Sequence, residues 1–297
     1  MSIRQAAVAG RFYDDNEDAC VDSIAQMLKD RPVQDTGSGN ILGAMVPHAG
    51  WAFSGDIAMQ AIATAKKSMD EIDTYLIFGA IHVCRSDVAL IYDSGQWQTP
   101  LGLIDIDADF AKAFLEATEG MMISHLDMHE REHSIEVEVP LIQYLHQEKH
   151  VKIVPVMIPP MVNNGLVGRK AAEVILKYQG KKNVMILAST DLTHYGPSYH
   201  FTTMGTGDKA NAWAKETNDM FFINLVKQLA GDSVVASANN YNNACGAGAV
   251  AATIAAVKAL GATKGELLTH TTSAEIMAQK YSQKSEDSVG YAGMVFY

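Results

Sequence analysis

The sequence has few cysteines, no long apolar run and no cluster of basic residues, and each shortage argues against a class of protein. The three cysteines, Cys20, Cys84 and Cys245, are odd in number and widely spaced, which does not predict a disulfide framework. No apolar run reaches the roughly 20 residues that a membrane-spanning helix needs. The residues before Asp14 do not resemble a signal peptide. We therefore expect a cytoplasmic protein that has no membrane partner.

The charge balance of the chain is acidic. There are 34 acidic and 23 basic side chains, which gives a formal net charge of −11. Proteins that bind nucleic acid usually present a clustered basic face, and the sequence contains no such cluster. We therefore expect no nucleic-acid partner, and a small molecule or a peptide is the better prediction for a ligand.

The pattern of apolar residues predicts an α/β fold. The chain has 297 residues, of which 48% are hydrophobic, so it can bury a large core. Short apolar runs predict strands at 41–46, 74–79, 88–92, 151–158, 183–189, 265–273 and 288–297. Segments with helical periodicity lie between them, at 18–29, 54–67, 107–117, 166–178, 209–229 and 246–260. This alternation predicts one domain over residues 1–297, with a mostly parallel central sheet flanked by helices.

Polar residues follow several of the predicted strands directly. His48 follows the first strand, His82 follows the second, and Asp191 and His194 follow the strand at 183–189. Cys245 precedes a predicted helix. Ligands of open α/β sheets collect beyond the carboxyl ends of the strands, so these side chains are candidates for one site.

Two histidines and a cysteine form a donor set that suits iron, copper or zinc. Three protein ligands, here His48, His82 and Cys245, would leave coordination positions open for dioxygen or a small substrate. Asp191 and His194 would lie near the ion and could orient a ligand or carry a proton. Each residue taken alone also fits a structural role, as a hydrogen-bonded histidine, a buried cysteine or a turn-capping aspartate.

A second motif competes with this site. Residues 129–133 read His-Glu-Arg-Glu-His and match the zinc-protease pattern H-E-x-x-H, with Glu130 as the general base. The two intervening positions, Arg131 and Glu132, are charged, whereas a buried protease helix should carry apolar residues there. A solvated surface explains the segment more simply, and a better interpretation centres on residues 132–136, Glu-His-Ser-Ile-Glu.

The order of several short motifs resembles the Memo family, whose bacterial and archaeal members are also labelled protein B of the AmmeMemoRadiSam system. The match runs nearly from end to end of the chain. The matching segments are Ala7–Tyr13, Pro47–Gly50, Ser54–Gly55, Gly79 with His82, Thr99–Gly102, Glu132–Glu136, Ser189 with Asp191 and His194–Gly196, Cys245–Gly246, and Ser288–Ala292.

This resemblance implies a fold similar to that of the class III extradiol (LigB-like) dioxygenases, which use non-haem Fe(II). It implies that His48, His82 and Cys245 are the metal ligands, and that Asp191, His194 and His133 are the catalytic residues of the neighbouring cleft. Fe(II) is the expected ion, with copper or zinc as alternatives. It also implies AMMECR1-domain and radical SAM proteins as partners.

Two functions are compatible with these expectations. The first is a metal-dependent redox enzyme of dioxygenase-like type. A dioxygenase proper carries a carboxylate where this chain has Cys245, however, so that activity does not follow directly from the resemblance. The second is a non-catalytic adaptor whose cleft holds a peptide or a small anionic ligand, because an animal relative is described as binding phosphotyrosine peptides.

Overall fold

A mixed, mostly parallel sheet lies at the centre of the computed structural model, which describes residues 2–37, 39–69, 71–147, 149–160 and 163–297. Its strands are β1 (Ile3–Arg4), β2 (Gly43–Val46), β3 (Thr74–Gly79), β4 (Ala89–Ile91), β5 (Gln96–Thr99), β6 (Gly102–Ile106), β7 (Met122–Ser124), β8 (Lys152–Met157), β9 (Val184–Ser189), β10 (His194–Tyr195), β11 (Gly265–Thr272) and β12 (Ser288–Phe296). The α-helices are α1 (Glu17–Asp30), α2 (Trp51–Lys67), α3 (Ala108–Ala117), α4 (Leu126–His129), α5 (Val139–Leu145), α6 (Asn164–Lys177), α7 (Asp208–Trp213), α8 (Met220–Lys227), α9 (Gly231–Tyr241), α10 (Ala247–Ala259) and α11 (Ser273–Tyr281).

Four neighbouring strands form the parallel centre of this sheet, in the order β8, β3, β9 and β2. Every residue of β2, β3 and β9 is buried. Continuous burial is typical of parallel strands that are covered by helices on both faces. The last long strand, β12, then pairs antiparallel with both β2 and β11, which makes the sheet mixed.

The helices cover the sheet on two sides. Phe78 of β3 belongs to one hydrophobic core, which contains buried residues of α3, α6 and α10. Its neighbour Ile77 belongs to a second core, which contains residues of α1, α2 and α5. Successive side chains of a strand point to opposite faces, so each central strand contributes to both cores. The α/β class predicted from the sequence is therefore confirmed.

The predicted elements agree with most of the observed ones, and their differences have physical causes. The strand predicted at 74–79 is observed with the same bounds. The helix predicted at 209–229 is interrupted by a π-helical turn at Ala214–Asp219, between α7 and α8. The hairpin of β5 and β6 was missed because its strands are short and only partly buried.

In the part of the chain that the structure describes, no helix is both long enough and apolar enough to span a lipid bilayer.

Candidate metal centre

The ends of three neighbouring strands bring the candidate residues together. β9 lies between β3 and β2 in the sheet, and all three strands are parallel. His48 follows β2, His82 follows β3 and Asp191 follows β9, so the three residues share one edge of the sheet. The backbone N–H of His48 donates to Oδ1 of Asp191 at 2.8 Å, which joins two of these loops.

Cys245 reaches the same edge from the loop between α9 and α10. Its backbone N–H donates to the carbonyl oxygen of Asp191 at 3.3 Å. The next N–H, that of Gly246, donates to Oγ1 of Thr190 at 2.9 Å. In return, the N–H of Asp191 donates to Sγ of Cys245 at 3.3 Å. These bonds fix the sulfur beside the loop that follows β9.

His48, His82 and Cys245 form a group in which one ligand atom of each lies within 4.8 Å of the others. Nε2 of His48 is 3.2 Å from Sγ of Cys245. The two imidazole rings meet edge to face, with centroids 5.2 Å apart. The structure therefore brings together the three side chains that the sequence proposed as ligands, and their donors are two nitrogens and one sulfur.

The hydrogen bonds of His48 leave Nε2 as the nitrogen that faces the sulfur. Nδ1 lies 2.7 Å from Oγ of Ser189. The Ser189 hydroxyl has one proton, and it also contacts the carbonyl oxygen of Ser134 and, at 3.1 Å, Oε1 of Glu138. The carbonyl oxygen cannot donate, so the hydroxyl proton is used on this side and the hydroxyl accepts from Nδ1–H of His48. Burial and the charges of neighbouring histidines hold the pKa of His48 well below its ordinary value. His48 is thus neutral, with its Nε2 lone pair directed at the centre.

Glu132 plays the corresponding part for His82. Oε1 of Glu132 lies 2.9 Å from Nδ1 of His82, and Oε2 accepts the His82 backbone N–H at 2.6 Å. Burial acts to raise the pKa of Glu132, but the hydrogen bonds and charge of His82 outweigh it and lower the pKa to about 2. Glu132 belongs to a segment that matches the family, but its contact with His82 was not predicted, because a charged residue in a polar loop usually faces solvent.

The pKa of His82 depends on two neighbouring side chains, those of Cys245 and Glu132. Partial burial lowers its pKa, but the interactions with the Cys245 sulfur and the Glu132 carboxylate raise it to about 10. A metal ion bound between the ring and the sulfur would replace that proton, since ligating imidazole is neutral.

A cleft of about 450 Å³ adjoins this group, and His133, Asp191 and His194 line it. The His133 ring stacks on that of His82 at 4.7 Å between centroids. Nδ1 of His194 lies 3.0 Å from the carbonyl oxygen of Leu192 and donates to it, which leaves Nε2 as the basic nitrogen. All three residues that the sequence proposed as catalytic therefore lie where the cleft meets the metal-binding group.

The rest of the cleft lining combines aromatic and acidic side chains with small, aliphatic and hydroxyl residues. Phe12, Phe53, Tyr199 and Tyr291 line the cleft, together with Asp287. Burial raises the pKa of Asp191, which also accepts the His48 N–H. Among the described residues that line this cleft, none is lysine or arginine.

The structure argues against the zinc-protease motif. α4 ends at His129, so His129 and His133 do not share a helical face. His129 is fully buried, and its Nε2 donates to the carbonyl oxygen of Leu90 at 3.1 Å. Burial lowers the pKa of His129 to about 3. The interpretation as a solvated surface was also wrong at two positions, since His129 and Glu132 are both buried.

Comparison with known proteins identifies the family of this chain. The model of the Memo-like proteins matches residues 4–295. A MEMO1 family protein of Methanopyrus kandleri is 33% identical over 302 residues, covering 99% of this chain and 98% of its own. One of Methanosarcina barkeri is 34% identical over 301 residues, covering 99% of both chains. One of Pyrococcus furiosus is 33% identical over 306 residues, covering 99% of this chain and 98% of its own. The chain therefore belongs to the Memo family.

Proposed function

We propose that this protein binds one transition-metal ion between His48, His82 and Cys245 and acts as a redox enzyme on a small molecule held in the adjacent cleft. The observation that carries the proposal is the approach of Nε2 of His48 to Sγ of Cys245 at 3.2 Å, with Nδ1 of both histidines already hydrogen-bonded elsewhere. Fixed tautomers with one free nitrogen are typical of metal-ligating histidines.

The donor set favours a borderline or soft metal over magnesium or calcium, which prefer oxygen ligands. We propose Fe(II), with copper or zinc as alternatives. When bound, a ferrous ion would supply redox chemistry and coordination positions beyond the three protein ligands. This proposal takes its dioxygenase-like class from the family's resemblance to class III extradiol dioxygenases.

The cleft residues have separate parts in this proposal. Nε2 of His194 acts as the general base or acid, because the other ring nitrogen, Nδ1, donates a hydrogen bond to the carbonyl oxygen of Leu192. Asp191 orients the His48 loop through the backbone N–H that it accepts. His133 packs against His82 and lines the cleft beside the metal-binding group.

The cleft lining also favours one kind of substrate. Its aromatic side chains suit a ring or another flat apolar group. Its two carboxylates, Asp191 and Asp287, with no lysine or arginine among the described lining residues, repel anions. We therefore propose a neutral or cationic substrate, and this lining counts against an adaptor for anionic peptides.

Metal content tests the ligand set directly. After anaerobic purification, elemental analysis should find about one transition-metal ion per chain in the wild type and little in Cys245→Ala. Cys84→Ala is the matched control, because Cys84 is a half-buried free thiol on the loop that follows His82 but lies outside the ligand group. Equal metal content in the wild type and Cys245→Ala would defeat the proposal.

Oxygen consumption tests the reaction class. The substrates would be a series of catechols that differ only in one substituent, which is uncharged, an ammonium group or a carboxylate. This series separates the effect of substrate charge on O2 uptake from the effect of substrate shape. Metal-dependent O2 uptake with the neutral or ammonium member supports a redox enzyme. Tight binding of the carboxylate member without O2 uptake would instead favour the adaptor.

A further inference from the structure

The carboxylate of Glu132 has an unusually complete set of hydrogen bonds. Its side chain is only 2% exposed. Oε1 accepts from Nδ1 of His82 at 2.9 Å and from the backbone N–H groups of His133 and Ser134, both at 2.9 Å. Oε2 accepts from the backbone N–H of His82 at 2.6 Å. One buried carboxylate therefore joins the loop after β3 to the loop after α4.

Glu132 could instead be a metal ligand, since His82, Glu132 and His133 form a second group with ligand atoms within 4.8 Å. The hydrogen bonds decide against this reading. Oε1 of Glu132, which lies 2.9 Å from Nδ1 of His82 and 3.4 Å from Nδ1 of His133, already accepts from three N–H donors, and Oε2 accepts from a fourth. A cation at this position would have to displace backbone donors and the proton of Nδ1.

We infer that Glu132 is a positioning residue, which holds the proton of His82 on Nδ1 and so presents Nε2 to the ion beside Cys245. This inference rests on the proposed metal site. Carboxylates that accept from a ligating histidine fix its tautomer and raise its basicity. The two imidazoles differ in this respect, because His48 is backed by the neutral hydroxyl of Ser189.

Glu132 is itself held in place from the other side. Nη2 of Arg4 donates to the backbone carbonyl oxygen of Glu132 at 2.7 Å, and Arg4 is fully buried. Nε of Arg4 donates to the carbonyl oxygen of His129 at 2.8 Å. The carboxylate is therefore presented to His82 by a segment whose backbone is fixed at two points, as a positioning role requires.

The experiment compares Glu132→Gln with Glu130→Gln. Both changes replace a carboxylate by an amide of the same shape, but Glu130 is exposed and contacts no candidate ligand in the described hydrogen-bond network. Competition titration with Zn(II) should show that Glu132→Gln weakens binding by about 10- to 100-fold, the usual effect of losing such a partner. Glu130→Gln should bind as the wild type does.

A spectroscopic readout separates positioning from mere stabilisation. In the zinc-loaded wild type, long-range 1H–15N spectra should show the His82 proton on Nδ1, and in Glu132→Gln that proton resonance should move upfield. A proton on Nε2 of the wild type would overturn the inference without any variant.

Two other outcomes are equally decisive. A Glu132→Gln protein with a lower melting temperature, but with unchanged zinc affinity and His82 resonances, would show that Glu132 only stabilises the fold. That result would overturn the positioning role of Glu132 but would leave the proposed metal site intact. A wild type that does not bind zinc, iron or copper at His48, His82 and Cys245 would overturn the inference together with the proposed function.

Discussion

Nε2 of His48 lies 3.2 Å from Sγ of Cys245, although 197 positions separate the two residues in the chain. The approach depends on two loops that cross closely, one after β9 and one before α10. Gly246 lies at this crossing, and a Cβ atom there would come within 2.3 Å of the carbonyl oxygen of Ser189. Only glycine allows the two backbones to come this near.

Gly246→Ala should therefore displace Cys245 and abolish tight metal binding. The added methyl group would also come within 2.8 Å of Cβ of Thr190, so the loops must separate. Gly165→Ala in α6 is the matched control, since its nearest atom would be at 3.5 Å. Metal titration and melting temperature would be measured for both variants. Wild-type affinity in Gly246→Ala would show that the close crossing does not position the sulfur.

Metal affinity should rise with pH. Partial burial lowers the pKa of His82, but Cys245 and Glu132 raise it to about 10, so a proton occupies the ring at neutral pH. Because the metal displaces this proton, affinity increases as the pH approaches that pKa, by about tenfold per pH unit for each proton displaced. His48, whose pKa is lowered by burial, should contribute no proton.

Calorimetric titrations in two buffers of different ionisation enthalpy would count the protons released on metal binding. At least one proton per ion is expected near neutral pH. An affinity that stays constant between about pH 6 and 8 would contradict the assignment of His82 as a ligand.

Arg4→Ala should strongly destabilise the fold. The guanidinium forms a fully buried ion pair with Glu136 at 2.7 Å and lies 4.1 Å from the ring centroid of Trp97. Removing one member of a buried pair leaves the other charge uncompensated, which costs about 3–5 kcal/mol of unfolding free energy. Urea denaturation would measure the change. Lys170→Ala, which breaks the exposed pair with Glu173, should have little effect, and equal losses in the two variants would contradict this account.

His129→Ala should reduce stability and leave metal binding intact. The change removes the donor to the Leu90 carbonyl oxygen, and an unpaired buried acceptor costs about 1–3 kcal/mol. His48→Ala should have the opposite profile, with lost metal. Metal content and denaturation curves would be recorded for both. Zinc lost from His129→Ala but retained by His48→Ala would restore the protease interpretation.

Much of the fold was predictable from local pattern. The six residues of β3 form an apolar run that is buried throughout, and the run alone predicted the strand. α9 and α11 were not predicted, because α9 carries polar residues such as Asn239 and Asn240 and α11 has one buried residue, Ile276. The π-helical turn before α8 was not predicted either, since its residues continue the helical pattern of the sequence.

The sequence predicted the candidate metal ligands but not the residues that hold them in position. His48, His82 and Cys245 were named from strand ends and from the family resemblance, and they lie together. Glu132 and Arg4 were not recognised, because charged residues usually face solvent and burial of a charge depends on partners distant in sequence. His82, which donates to the Glu132 carboxylate through its ring and its backbone N–H, is 50 positions away.

The sequence by itself determined the α/β class, the strand ends that carry polar residues and the nitrogen and sulfur donors available to a metal. The tertiary structure decided which of those ends are neighbours, because β9 lies between β3 and β2 and no local periodicity encodes that order. It also decided which nitrogen each imidazole presents, since the partners Ser189 and Glu132 come from other segments of the chain. Periodicity reports how a segment meets the core, whereas the contacts of a site depend on how distant segments pack against one another.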